Sequence, residues 1–386
     1  MSAGRVDVAI LGAGPVGCAL ALALAREGRS VALVERRPAG GAAQPVFRPI
    51  ALSYASRLIL ERLGAWRSID ATPIDRVHVS QAGAFGRSLL SAEDAGVPAL
   101  GYVADYEALA RALAGEVEAR GIAVTHGVRI DSIAAADDKA RLALTGDGAP
   151  RELHARCVVH AEGAAPDAKE KRYGFDALVG LVRVDRRADA RAPRGTAFER
   201  FTAEGPLALL PAGEHYGLVW SARPERAATL AAMASDQFVA ELERAAGSRA
   251  GRFVSVEARA SFPLVLRRRA ARIAARQVFV GNAAQTLHPV AGQGLNLGLR
   301  DVWNLAEAWR DAPDPGSAGL LQAYSRSRRL DAAAAIRVTD ILAGAFLSDA
   351  PFVGALRGVA LSALDVVPPA RRFFARRMIF GASAIP

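Results

Sequence analysis

The sequence predicts an α/β chain in which a Rossmann-like domain is interrupted by an antiparallel sheet, completed far downstream and followed by a helical carboxyl-terminal region. Three observations carry that prediction. Closely spaced glycines form a strand-to-helix turn near the amino terminus, the middle of the chain shifts to short alternating apolar runs, and a buried strand ending in a glycine-rich loop returns near residue 277. At 386 residues and 51% hydrophobic content, the chain can fill the cores of two or three domains.

Taken in order, residues 6–11 predict a buried strand, 15–27 a helix and 30–35 a second strand, a βαβ opening. The 18 positions from 8 to 25 carry no charge and follow Arg5, as a targeting segment or membrane span would. Gly12, Gly14, Pro15 and Gly17 interrupt the run and Asp7 precedes it, so the expectation is a cytoplasmic chain with no integral membrane segment. A helix over 53–64, a strand over 77–81, a helix over 106–120 stopped by Gly121 and a strand over 122–125 follow. Short strands continue through 153–161.

From about 173 to 262 the runs 178–184, 197–202, 207–210 and 216–221 alternate as in an antiparallel sheet with helical insertions. Residues 277–281 then return to a buried parallel-type strand, and 293–312, 319–346 and 351–364 have helical character; 134–138 and 312–316 are surface loops. The expected division is 1–76, 98–172 and 277–315 for the first domain, 77–97 and 173–276 for the inserted one, and 316–386 for the helical region.

The formal net charge of +10 comes almost wholly from arginine. It fits either genome composition or an anionic partner, and by itself names neither. Cys18 and Cys157 fall in a helix and a strand and predict ordinary buried thiols, not a disulfide framework. The six histidines have no metal-finger spacing, so no metal centre is expected.

Chemistry concentrates in two places. Gly12-Ala13-Gly14-Pro15-Val16-Gly17 has the dinucleotide spacing: the first glycine makes the turn, the second lets a pyrophosphate approach the backbone, and the third permits close helix packing. Glu35, at the end of the second strand, is placed to accept hydrogen bonds from ribose hydroxyls. Arg48, just before a helix, is a candidate to support a flat cofactor or its substrate. Downstream, the strand 278–281 runs into Asn282, Pro289, Gly292 and Gly294, a loop whose amides can approach a ring and hold negative charge on it.

At these residues the chain resembles the UbiH and Coq6 family of ubiquinone-biosynthesis hydroxylases, within the larger group that includes p-hydroxybenzoate hydroxylase. His288-Pro289-Val290-Ala291-Gly292-Gln293-Gly294-Leu295-Asn296-Leu297-Gly298 is close to the family signature, and 197–202, 205–211 and 281–287 extend the likeness toward the UbiH branch. The resemblance implies an FAD-binding domain of the p-hydroxybenzoate hydroxylase type with an inserted substrate sheet. It implies FAD contacts at Gly12, Gly14, Gly17, Glu35, Arg36, Arg48, Arg111, Asn282, Pro289, Gly292, Gln293, Gly294, Leu295 and Asn296, and roles near the reacting atoms for His288, Pro289 and Arg48.

The implied activity is a monooxygenase: NAD(P)H as electron donor, O2 as co-substrate, and a flavin C4a-hydroperoxide that hydroxylates a hydrophobic polyprenyl phenol such as 2-polyprenyl-6-methoxyphenol. Glu199, Arg200, His215 and Tyr216 join His288 as polar groups able to orient or deprotonate a phenol. Peripheral contact with the inner face of the cell membrane and membership of a multi-enzyme complex are implied; nucleic acid is not. Aromatic and basic residues mix over 369–380, which suits either an interfacial helix or core packing. Where the wider group has Asp-Gly followed by serine and arginine, this chain has Glu162-Gly163 and neither successor. A non-catalytic flavin-binding or assembly subunit is the alternative that this departure favours.

Overall fold

The computed structural model describes residues 4–40, 47–146, 151–163, 168–185, 194–286, 293–329, 333 and 351–381. Five parallel strands form the centre of the first sheet, in the spatial order Gln277–Phe279, Arg151–His160, Gly4–Leu11, Val31–Val34 and Ala123–Thr125. Strand Gly4–Leu11 lies in the middle because both its faces are apolar: Val8, Ala9, Ile10 and Leu11 are all buried. The return of the chain at 277 is therefore real, and it places the turn Gly281–Ala283 beside the amino-terminal one, with Gly281 against Val16.

Helix Pro15–Arg26 packs on this sheet with helices Tyr106–Ala119 and Gln293–Trp309 around one large core. The uncharged run that could have spanned a membrane is divided between the central strand and this helix, and no helix among the described residues is long and apolar enough to cross one. Cys18 and Cys157 are free and buried, and burial pushes the Cys18 thiol up to about 12.

A second sheet of eight strands holds Arg76–Gln81 and Arg87–Ser91 together with Lys169–Asp185, Thr196–Thr202, Gly205–Ala212, His215–Ala222, Arg252–Arg268 and Gln285–Thr286. All of its pairings are antiparallel except Arg76–Gln81 with Thr196–Thr202. One face packs Leu178, Leu207, Leu209, Tyr216, Leu218 and Trp220 onto helices Pro224–Ala232 and Ser235–Ala246. The other face is taken up below.

Three differences from the sequence reading have local causes. Pro49–Ser53, Ala71–Ile74 and Gly101–Asp105 form a small antiparallel sheet that short, weakly patterned runs did not announce. Helix Tyr54–Arg62 starts one residue later than expected because Ser53 is its cap, its hydroxyl accepting from the Ser56 amide. Of the expected helix over 319–346, residues 318–329 are helical and most of the rest lies outside the described residues.

Candidate active site

One cavity of about 1470 Å³ runs between the two sheets. Its first end is the glycine turn. Gly12 takes φ +99°, and a Cβ there would stand 2.7 Å from the Glu162 Cα; a Cβ on Gly17 would stand 1.9 Å from the Gly12 carbonyl oxygen. Both positions therefore require glycine, one for its backbone angle and one for contact between turn and helix. Gly14 is different: nothing lies within 4 Å of a Cβ there, and the residue faces the cavity.

Gly14 also caps helix Pro15–Arg26 without any side-chain hydrogen bond, and Pro15 stands at its first turn. The helix therefore presents unoccupied amides and the positive end of its dipole to the cavity, the arrangement that holds a phosphate. Glu35 borders the same space. One of its oxygens accepts from the Ala13 amide at 2.8 Å and the other from the Arg37 amide at 3.0 Å. Burial alone would raise its pKa, but those amides and the Arg37 guanidinium outweigh it and hold the carboxyl below the usual range, so it stays ionised.

The downstream segment borders the same space, with Gly281 and Gly298 packed against Val16 of the turn. Asn282, in the turn Gly281–Ala283, lines the cavity, as do Gly294, Leu295 and Asn296 at the start of helix Gln293–Trp309. Gly294, like Gly14, has nothing within 4 Å of a Cβ. Arg48 reaches the same cavity, its guanidinium 4.9 Å from the Tyr106 ring and 5.6 Å from the Phe262 ring. The two glycine segments thus border one cavity although some 270 residues separate them in the chain.

The sequence pattern of the FAD binding domain family matches residues 5–339. The chain belongs to that family. It is 33% identical to the ubiquinone hydroxylase UbiL of Rhodospirillum rubrum, over 96% of this chain and 88% of that protein. It is 31% identical to the 3-demethoxyubiquinol 3-hydroxylase of Escherichia coli, over 93% of this chain and 94% of that protein. Among solved structures, p-nitrophenol 4-monooxygenase from Pseudomonas putida superposes with a TM-score of 0.79 over 98% of this chain and 100% of that chain, at 16% identity. The family resemblance and the fold expected from it are both borne out.

The cofactor of this flavin-dependent aromatic monooxygenase family is FAD, with NAD(P)H and O2 as the usual co-substrates. The cavity fits FAD on its own evidence. Uncapped amides and a side-chain-free glycine stand beside an ionised acid, and a second side-chain-free glycine and an amide side chain border the same space.

The remaining expected contacts divide. Arg36 lines the cavity and is exposed. Arg111 does not line it: Leu109, Ala112, Leu113 and Val117 turn one face of their helix to the core, which leaves Arg111 on the solvent side. The Asn296 side chain is committed to the protein, its oxygen accepting from the Ser53 amide at 2.8 Å and the Ser56 hydroxyl at 2.7 Å while its amide donates to the Ala51 carbonyl at 2.9 Å. It staples the downstream helix to the strand and helix that follow Arg48. His288, Pro289 and Gly292 lie outside the described residues, as does the side chain of Gln293.

Two features went unnoticed in the sequence. Fully buried Asp301 accepts from the Gly281 amide at 3.2 Å and from the buried Arg328 Nε at 2.8 Å, fixing the turn that carries Asn282. Its signal was the adjacent pair Arg300-Asp301 within a largely apolar stretch of the helix. The second feature is a stack in which the His160 and Phe279 rings are 4.3 Å apart and Arg269 lies 3.7 Å from the Phe279 centroid, all three lining the cavity. It joins strands Arg151–His160 and Gln277–Phe279 to the residue after strand Arg252–Arg268 and leaves no pattern in sequence.

Beyond the cofactor segments the cavity widens over the second sheet. Val77 and Val79, Ala197 and Glu199, Ala208 and Leu210, Val219, and Ala177 and Val179 all face it from neighbouring strands. Helices Pro351–Val366 and Pro368–Phe380 close the chamber with Leu356, Leu361, Leu364, Phe374 and Met378. Of the polar candidates, Glu199 alone lines it among the described residues. Tyr216 and Arg200 sit at alternate positions facing the helix side, and His215 stands at the end of its strand outside the lining.

Proposed function

We propose that the chain hydroxylates the aromatic ring of a polyprenylated phenol in ubiquinone biosynthesis, with 2-polyprenyl-6-methoxyphenol as the substrate. The observation that carries this reading is the continuity of the cavity: a cofactor cradle opens directly into an apolar chamber. Its volume of about 1470 Å³ exceeds the roughly 300–1,000 Å³ of an ordinary small-molecule pocket, as room for both FAD and a substrate requires.

FAD, when bound, supplies the chemistry that activates O2 with electrons from NAD(P)H. The protein does the rest. The helix amides behind Gly14 hold the pyrophosphate, Glu35 accepts from the ribose, and Asn282 and the Gly294 backbone orient the ring end. Val79, Val219 and Val179 below and Leu361, Phe374 and Met378 above exclude water from the reacting atoms. The prenyl chain runs between sheet and helices toward Leu356, which lines the cavity and is 58% exposed.

Peripheral contact with a membrane belongs to the same proposal. Helix Pro368–Phe380 buries Ala375, Ile379 and Phe380 against Tyr54, Ala55 and Ala95, so one side is core. Its outer side, with the end of the preceding helix, exposes Val366, Val367 and Phe373 (77%, 45% and 72%) beside exposed Arg372 and Arg376. Apolar residues flanked by cations suit an anionic lipid surface at the place where a prenyl chain would enter.

The test is turnover with a prenylated methoxyphenol under labelled oxygen. Substrate-dependent NAD(P)H oxidation with one labelled atom in the ring product is expected. Flavin reduction without incorporation would overturn the reading in favour of a non-catalytic subunit.

A further inference from the structure

Among the described residues lining the cavity, the acids are Glu35 and Glu162 at the cofactor end and Glu199 on the sheet floor. Glu199 stands in strand Thr196–Thr202 with Val79 beside it on one neighbouring strand and Ala208 on the other, and the row continues through Val219 to Val179. It is half-buried and lines the cavity. No hydrogen bond or ion pair reaches its carboxyl from any described residue, whereas the acids at the cofactor end are engaged by amides or by His160. An acid in such a wall is costly unless a partner arrives.

We propose that Glu199 accepts a hydrogen bond from the hydroxyl of the bound phenol and takes its proton as the ring is hydroxylated. This rests on the phenol hydroxylase reading above and adds the group that selects a free phenol over an ether. The O–H bond breaks toward a Glu199 oxygen as the ring carbon gains its bond to one oxygen atom of O2. The other atom leaves as water, with NAD(P)H as the reductant. The ring then loses its C–H proton to solvent, Glu199 returns its own proton to the ring oxygen, and the carboxylate is restored.

The acidities match that role. Burial, with no charge near enough to offset it, pushes Glu199 up to about 7. A phenol near 10 lies about three units above it, so transfer in the resting complex is unfavourable and the proton moves only as the C–O bond forms. Among the described residues, the other charged groups lining the cavity are Arg357, from the helix above, and Glu35, Arg36, Arg37, Arg48, Arg129, Glu162 and Arg269 on the cofactor side. Arg357, from helix Pro351–Val366, lies 5.2 Å from the Phe201 centroid and donates to Gln81 at 2.6 Å, and Arg48 lies on the cofactor side. Strands Arg76–Gln81, Thr196–Thr202 and Gly205–Ala212 turn no titratable side chain other than Glu199 to this face, because His78 and Arg200 point to the opposite one.

The experiment uses the FAD-loaded full chain with 2-geranylphenol and its methyl ether as probes. In the wild type kcat/KM should fall as pH drops through about 7, since the base must be ionised. Glu199→Gln should lose that limb and fall on the order of 10²–10⁴-fold at pH 8, whereas Glu199→Asp keeps the limb at a reduced rate. Binding, followed by flavin fluorescence without turnover, should favour the phenol over its ether at least tenfold in the wild type and not in Glu199→Leu. An unchanged limb in Glu199→Gln, or equal discrimination in wild type and Glu199→Leu, overturns the proposal. A wild type that binds phenols selectively but hydroxylates none sinks the hydroxylase reading instead.

Discussion

The two ends of the cavity are built on opposite principles. At the cofactor end, recognition is by backbone: Gly12 and Gly17 are fixed by contacts under 3 Å, Gly14 and Gly294 keep side chains out, and a helix amino terminus supplies the donors. At the end where the substrate is proposed to bind, the wall is made of side chains from five strands and two helices, nearly all apolar, with one acid among the described ones. Backbone recognition tolerates almost no substitution and leaves a spaced motif in the chain. A side-chain chamber needs only the right volume and polarity, and many sequences meet that demand.

If this contrast is right, the two halves should fail separately. The largest effect is expected from Asp301→Ala, which leaves Arg328 buried without its carboxylate and frees the Gly281 amide; about 3–5 kcal/mol of stability should be lost. Chemical denaturation measures it, and flavin content should fall in parallel. Gly17→Ala comes next. Its Cβ would collide with the Gly12 carbonyl, costing roughly 1–3 kcal/mol and most of the bound FAD, read from flavin absorbance of the purified protein. Normal FAD content in that variant would break the comparison.

At the substrate end Glu199→Gln should keep FAD while changing the pH dependence of stability. The pKa of Glu199 is raised in the folded chain, from 4.5 to about 7, so its contribution is fully present below about 4.5 and is lost as pH rises through about 7. Without substrate, the variant should therefore match the wild type at pH 5 and melt a few degrees higher at pH 8, as thermal denaturation across that range would show. The smallest effect on the fold is expected from Phe373→Ser, within about 0.5 kcal/mol because the ring is exposed. Its flotation with anionic vesicles should nonetheless drop several-fold; undiminished flotation would remove that helix from the membrane reading.

These contrasts also separate what could be read in the chain from what could not. The glycine turn, the antiparallel middle and the returning strand at 277 were all legible, because each follows from local period or from a backbone angle only glycine takes easily. Asn296 has a second task that its place in the motif did not announce: it lines the cavity, and its side chain also holds Ser53, Ser56 and Ala51, contacts nearly 250 residues away. Arg111 was assigned to the cofactor by resemblance, and the helical face it occupies turns it to solvent.

By itself, then, the sequence determined the dinucleotide-type strand-to-helix turn, and it singled out two distant segments whose described residues border one cavity. Only the tertiary structure decided what lies beyond it. The strand register puts Glu199 in line with Val79, Ala208, Val219 and Val179, and helix packing sets Leu361 and Phe374 above them. The reason is physical: a turn conformation is written in adjacent residues, whereas the solvation of one carboxyl depends on every strand and helix that excludes water from it.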